Sequence, residues 1–84
     1  MRIQRSRQFR EEYERLPDAI KKRAEKQLTL FLQDPHHPSL RTKKMEGRDI
    51  WEGRMTQSYR FTFEIIGDVY RLRRIGTHDI LKHP

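Results

Sequence analysis

The stretch 59–76 constrains the fold more than any other part of the chain. It reads YRFTFEIIGDVYRLRRIG, with apolar and polar side chains alternating on both sides of Gly67-Asp68. Alternation of this kind is typical of β-strands. Gly67 tolerates the positive φ that a two-residue hairpin turn needs. The stretch therefore predicts two antiparallel strands joined at this turn, with Ile66 paired to Val69.

The turn fixes which side chains share a face of the sheet, because paired residues point to the same side and neighbours along a strand to opposite sides. The first, apolar face carries Tyr59, Phe61, Phe63, Ile65, Tyr70 and Leu72. The second, basic face carries Arg60, Thr62, Glu64, Arg71 and Arg73, with Ile66, Val69 and Ile75 among them. A slip of one residue would bury the arginines, so the register is strongly specified.

The same register predicts individual pairs. The expected partners are Phe63 with Leu72, Phe61 with Arg74, Tyr59 with Gly76, and Glu64 with Arg71. The last of these pairs could form an ion pair across the strands. The apolar face needs a cover, and the basic face can either bind an anion or remain a solvated surface.

Two amphipathic helices precede the hairpin and can supply the cover. Ser6 is a good N-cap for the first helix, which ends before Pro17. Pro17 and Asp18 suit the start of the second helix, which ends near Asp34-Pro35. The apolar stripes of these helices contain Phe9, Tyr13, Leu16, Ile20, Ala24, Leu28, Phe31 and Leu32. With almost no linker between them, the helices predict an αα-hairpin.

The remaining segments complete an α+β architecture. Residues 2–5 predict a short strand before the helices, and residues 40–45 and 50–56 predict strands after them. The order predicts a single domain over residues 1–84, in which the N-terminal strand and the αα-hairpin pack on one face of a twisted antiparallel sheet of three to four strands. Residues 77–84 follow the last strand as a tail.

Composition narrows the classes of partner. The formal net charge is +7 and the isoelectric point is about 10.3, which favours a polyanionic partner. The absence of cysteine excludes disulfides and thiolate metal sites and fits a reducing cytoplasm. No apolar run approaches the roughly 20 residues that a membrane span needs. We expect a cytoplasmic protein with no metal, no cofactor and no membrane partner.

The basic face is the candidate site. It gathers Glu52, Arg54, Arg60, Arg71 and Arg73, with Lys43 and Lys44 on the preceding strand. Arginine clusters hold phosphates through paired hydrogen bonds. The alternative is a solvated face balanced by cross-strand ion pairs. His78, just after the last strand, and His83, in the tail, could transfer protons near neutral pH, although isolated histidines are often merely exposed.

Taken in order, several runs resemble one family. They are KMEG leading to IWE at 44–52, SYRF at 58–61 and RRIGTH at 73–78. With the order β-αα-βββ, nearly the whole chain resembles the RelE/ParE toxins of bacterial type II toxin–antitoxin systems. The resemblance implies a toxin held inactive by an acidic antitoxin. The RelE branch cleaves mRNA in the ribosomal A site through the RNA 2′-hydroxyl, without metal. The ParE branch inhibits DNA gyrase. A harmless basic nucleic-acid-binding adaptor is the remaining alternative.

The resemblance also implies roles for particular residues. Arg60 matches the arginine that contacts the scissile phosphate, and Arg54 matches a basic residue on the preceding strand. Glu52 falls where members carry a lysine or another polar catalytic group. His78 falls where a basic residue or histidine often acts, and His83 roughly matches a C-terminal histidine or tyrosine. The other cations of the basic face would contact RNA phosphates.

Overall fold

A five-stranded sheet forms one layer of the structure and two helices form the other. The computed structural model describes residues 1–84. The helices are α1 (Arg7–Glu14) and α2 (Asp18–Gln33). The strands are β1 (Arg2–Arg5), β2 (Lys43–Lys44), β3 (Trp51–Arg54), β4 (Tyr59–Ile66) and β5 (Val69–Thr77). Short 3₁₀ helices span Pro38–Leu40 and His78–Lys82. Neither α1 nor α2 has the length and hydropathy needed to span a lipid bilayer.

The predicted α+β architecture is confirmed, with one more strand in the sheet than expected. The strand order is β1-β5-β4-β3-β2, and β1 runs parallel to β5 while all other neighbours are antiparallel. The sheet is therefore mixed rather than antiparallel. After β1 the chain passes through α1 and α2 and re-enters the sheet at the opposite edge as β2.

The core lies between the helices and the apolar face of the sheet. Its fully buried aromatic residues are Phe9, Phe31, Phe61 and Phe63. Phe31 of α2 meets Phe61 and Phe63 edge to face, at centroid distances of 5.3 and 4.9 Å. Such edge-to-face pairs add to the stabilisation that burial itself provides. The helical stripe therefore covers the apolar face as the sequence predicts, except that Leu32, predicted to belong to the stripe, is 55% exposed.

A β-bulge changes the predicted register of the hairpin. The pairs from Ile66–Val69 to Phe63–Leu72 form as expected, and the register then shifts between Thr62 and Phe63. Beyond the shift, the partners are Thr62 with Arg74, Phe61 with Ile75, and Tyr59 with Thr77. The predicted pairs of Phe61 with Arg74 and Tyr59 with Gly76 are therefore wrong. The extra residue moves Ile75 to the apolar face, where it is buried, and moves Arg74 away from it.

The tail covers part of the basic face, which is less open than the sequence suggested. The Thr62 hydroxyl donates to the backbone oxygen of Pro84 at 3.3 Å, and Thr62 is fully buried. Ile80 lies against Gly76, where a Cβ atom would stand only 2.9 Å from the Ile80 Cγ2 atom. The chain after β5 therefore folds back over Thr62 and Arg73, and none of its residues lines the concavity that Arg54 and Arg60 share.

Candidate functional site

Two arginines lie directly opposite each other on the uncovered side of the basic face. The β3–β4 register pairs Arg54 with Arg60, while Gly53 pairs with Phe61 on the apolar face. Like charges directly opposite each other in a sheet are destabilising. Bringing these two charges together therefore carries an electrostatic cost, which an anion between them would offset.

Arg41 is a third cation at the same place. With Arg54 and Arg60 it forms what we call the arginine cluster. Together with Lys43, Glu52 and Gly53, these residues line a concavity of about 240 Å³, which we call the cluster concavity. Arg41 has φ 47° and ψ 45° and follows the 3₁₀ helix Pro38–Leu40. A positive φ is uncommon outside glycine and often marks a functional site.

The arginine cluster has no acidic partner. None of its three guanidinium groups forms an ion pair with an Asp or Glu side chain. Partial burial, followed by the positive charges of Arg41 and Arg60, lowers the pKa of Arg54 from its ordinary value. Of these causes, the positive charges of Arg41 and Arg60 also favour the entry of an anion, whereas burial does not.

Arg60 also holds the turn between β3 and β4. Its Nη1 atom donates to the carbonyl oxygens of Thr56, Gln57 and Tyr59, at 2.7, 3.0 and 3.1 Å. Its Nε and Nη2 atoms make no hydrogen bond within the protein, so they remain free for a phosphate. One guanidinium group can thus fix the turn and present two donors to a ligand.

Glu52 is the only carboxylate that lines the cluster concavity. Its side chain is 15% exposed and forms an ion pair with Lys43 at 3.8 Å. Lys43 pairs with Glu52 in the sheet register, so both lie on the basic face. This pair places one proton acceptor and one further cation beside the arginine cluster.

A buried amide supports Arg54 from behind. The Nε2 atom of Gln27 on α2 donates to the carbonyl oxygen of Arg54 at 3.1 Å and reaches that of Ser39 at 3.5 Å. Gln27 is only 8% exposed. It therefore ties α2 to the end of β3 and to the segment that leads into Arg41.

The other predicted arginines are already partnered. Arg71 and Arg73 each contact Glu64, at 3.2 Å, so the predicted pair of Glu64 with Arg71 forms. The Nε atom of Arg73 also donates to the Pro84 backbone oxygen at 3.1 Å. Arg71, Arg73 and His83 line a second concavity of about 290 Å³, which has no residue in common with the cluster concavity. The structure thus divides the predicted site into two places.

His78 and Lys44 join neither place. His78 is exposed, begins the 3₁₀ helix His78–Lys82, and makes no side-chain hydrogen bond within the protein. Lys44 pairs with Trp51 on the opposite face from Lys43 and contacts Asp49 at 3.2 Å. The structure contains no group of three or more His, Asp or Glu side chains that could hold a metal ion.

Sequence reasoning did not include Arg41 or Gln27 in the site. The run RTKK at 41–44 shows only that the segment is basic. Nothing in the sequence reveals that Arg41 takes a left-handed conformation. The stripe of α2 gives Gln27 a place near the core, and a polar residue in such a place was the one available signal.

Comparison with solved structures identifies the fold. No family model matches the sequence, and no curated protein sequence matches it. A YoeB/ParE toxin from Agrobacterium tumefaciens has a TM-score of 0.77 at 15% identity, covering 93% of this chain and 99% of that one. E. coli YafQ gives 0.75 at 17% identity, covering 96% and 98%. A chain of the intact E. coli RelBE toxin–antitoxin complex gives 0.71 at 19% identity, covering 90% and 94%. The chain therefore has the RelE/ParE toxin fold.

Proposed function

We propose that the protein is the toxin of a type II toxin–antitoxin pair and cleaves mRNA on the ribosome. One observation carries the proposal: three arginines without acidic partners surround one concavity on the β3–β4 face of a RelE/ParE fold. Guanidinium groups that lack carboxylates are suited to phosphate oxygens. The net charge of +7 supports a polyanionic substrate.

In the proposed reaction the scissile phosphate sits in the cluster concavity. The RNA 2′-oxygen forms a bond to phosphorus while the bond to the 5′-oxygen of the next nucleotide breaks, leaving a 2′,3′-cyclic phosphate and a 5′-hydroxyl. The free Nε and Nη2 atoms of Arg60, with the guanidinium group of Arg54, stabilise the charge on the non-bridging oxygens in the transition state. Arg41 adds a third positive charge to the same centre.

Two groups are the proposed carriers of the protons. Glu52 is the carboxylate within the concavity and takes the proton from the 2′-hydroxyl, while Lys43 keeps it oriented. His78 does not line the concavity, but it directly follows Thr77, which pairs with Tyr59 beside Arg60, and we propose it as the acid that protonates the leaving 5′-oxygen. His83 lines the second concavity, so it takes no part in this scheme.

A ribosome cleavage assay tests the proposal. Ribosomes programmed with a defined message and incubated with the purified protein should give discrete cuts within codons, mapped by primer extension. Arg60→Ala should abolish them. Because Arg60 also holds the β3–β4 turn, Arg54→Gln serves as a second variant, and circular dichroism checks that both fold. Intact message in the presence of a toxin that still arrests growth would refute the proposal.

One observation favours a second candidate function, inhibition of DNA gyrase by binding alone. The cluster concavity contains no histidine, and its only carboxylate is already ion-paired with Lys43. A binding toxin needs no acid and base. Inhibition of gyrase supercoiling that survives both His78→Ala and Arg60→Ala would favour this candidate, and no inhibition by the folded protein would eliminate it.

The expected partner in either case is an acidic antitoxin. A chain of net charge +7 with an unpaired arginine cluster attracts a negatively charged segment, and binding there would neutralise both charge and site. Such a complex should weaken as salt rises, because screening shortens the range of charge attraction. Sedimentation of the co-expressed pair at low and high salt measures this.

A further inference from the structure

The cluster concavity continues into a larger groove. This groove has a volume of about 530 Å³ and lies between α2 and the turn after β3. Its lining residues are Arg23, Lys26, Gln27, Leu30, His37, Ser39, Arg41, Arg54, Met55, Thr56 and Gln57. Arg41 and Arg54 line both spaces, so a ligand at the arginine cluster can extend into what we call the α2 groove.

The charge of the α2 groove is of one sign. Every charged residue that lines it is a cation, and none of its lining residues is Asp or Glu. Arg23 and Lys26 are exposed and form no ion pair with an acidic side chain. They are three residues apart on α2 and therefore share one side of the helix. Two free cations thus extend the electrostatic field of the arginine cluster along α2.

The lining indicates which ligand the groove suits. Ser39, Thr56 and Gln57 add neutral hydrogen-bonding groups, and of the two apolar residues Met55 is buried. Protein partners depend on apolar and aromatic anchors seated in pockets, which this groove does not offer. A basic, polar groove is suited to binding the phosphate backbone of a nucleic acid without sequence specificity.

We propose that the α2 groove binds the phosphates of single-stranded RNA beyond the scissile bond, with Arg23 and Lys26 as contacts. The inference rests on the proposed function, because it places the scissile phosphate at the arginine cluster. It adds a second subsite for the same strand. A fragment of a few nucleotides then occupies the arginine cluster alone, while a longer strand reaches both places.

Fluorescence anisotropy with labelled 2′-O-methyl RNA, which lacks the attacking hydroxyl, tests the subsite. The double variant Arg23→Gln/Lys26→Gln should bind a trinucleotide as the wild type does and should bind a decanucleotide more weakly. Each lost phosphate contact makes the plot of the logarithm of the association constant against the logarithm of salt concentration less steep by about 0.7. The loss of two contacts should therefore reduce its steepness by about 1.4 and the affinity at 0.1 M salt by about 25-fold.

A matched control distinguishes the loss of contacts in the α2 groove from the loss of two positive charges as the cause of weaker RNA binding. Arg10→Gln/Arg15→Gln removes the same charge from exposed positions on or just after α1, and neither residue lines a concavity. The control should bind both RNAs as the wild type does. Equal losses of RNA affinity in the two double variants, or equal losses for the two RNA lengths, would overturn the assignment of the α2 groove as a subsite.

Two further arms distinguish the remaining outcomes. Arg54→Gln should lower the affinity for the trinucleotide. An unchanged affinity would instead count against the proposed function. Unlabelled polyglutamate of the same charge should displace the decanucleotide much less well than unlabelled RNA does. Equal displacement would assign the α2 groove to an acidic polypeptide and overturn its assignment to RNA.

Discussion

Replacing Gly53 with alanine should destabilise the protein, although alanine is normally the better residue inside a strand. The backbone of Gly53 does not have a positive φ, so an alanine there is not strained by conformation. On backbone entropy alone it would stabilise the protein by about 0.5–1 kcal/mol. A net loss of stability would therefore report on packing, because backbone entropy acts in the opposite direction.

Packing predicts the opposite sign. A Cβ atom at Gly53 would stand 2.3 Å from Cε1 and 2.5 Å from Cζ of Phe61. The ring would have to withdraw by about 1.2 Å to restore an ordinary carbon contact of about 3.5 Å. Phe61 is fully buried, with Phe31 edge-on at 5.3 Å and Phe63 stacked at 5.6 Å, so it has no free space to enter.

Overpacking of this kind costs about 1–3 kcal/mol. A cost of about 2 kcal/mol, less the entropic gain of about 0.5–1 kcal/mol, leaves a net loss of about 1–1.5 kcal/mol. The midpoint of thermal unfolding of a domain this size then falls by about 4–12 °C. Differential scanning calorimetry of Gly53→Ala measures the change. Gly76→Ala is the matched control, because Cγ2 of Ile80 at 2.9 Å is the one atom that the added Cβ would meet, and the expected loss is smaller. A Gly53→Ala midpoint equal to or above the wild-type value would refute the packing of Phe61 against β3.

Three further predictions concern the supports of the site and core. Gln27→Leu leaves the Arg54 carbonyl without its buried donor and should cost about 1–3 kcal/mol in urea unfolding, whereas an unchanged midpoint would contradict the hydrogen bond. Burial, followed by a hydrogen bond to Glu25, raises the pKa of Tyr13 from 10.0 to about 12. The stability that the neutral hydroxyl contributes is therefore complete below pH 10 and is lost as the pH rises through 12. The difference in unfolding free energy between wild type and Tyr13→Phe should therefore narrow over that interval, and a constant difference would exclude the shift. Inorganic phosphate should raise the melting midpoint of the wild type more than that of Arg54→Gln, and equal shifts would argue against an anion site at the arginine cluster.

Local patterns in the sequence were sufficient to predict most of the fold. Alternation across Gly67-Asp68 predicted the hairpin turn and the first pairs beyond it, and the stripe containing Phe31 predicted the helical cover. The bulge could not be predicted in this way, because strict alternation places Arg73 and Ile75 on the same face. Burial of Ile75 against Phe61 outweighs the regular register, and this is a tertiary effect.

The sequence predicted which types of residue form the site better than it predicted where in the structure each of them lies. Alternation put Arg54 and Arg60 on one face, where the structure has them as direct partners. It also put Arg71 and Arg73 there, but it could not show that Glu64 binds both or that the tail folds over them. The contribution of Arg41 depends on a left-handed backbone conformation, which no spacing of residues indicates.

The cleavage rate on programmed ribosomes distinguishes the unpaired arginines of the basic face from the paired ones. Arg54→Gln removes a member of the unpaired cluster, and Arg71→Gln removes a residue that already pairs with Glu64. We predict that Arg54→Gln lowers the single-turnover rate by about 10²-fold or more, as the loss of a transition-state donor does. Arg71→Gln should leave the rate close to that of the wild type. Equal losses of rate in the two variants, or a larger loss for Arg71→Gln, would show that the unpaired arginines are not the ones that stabilise the transition state.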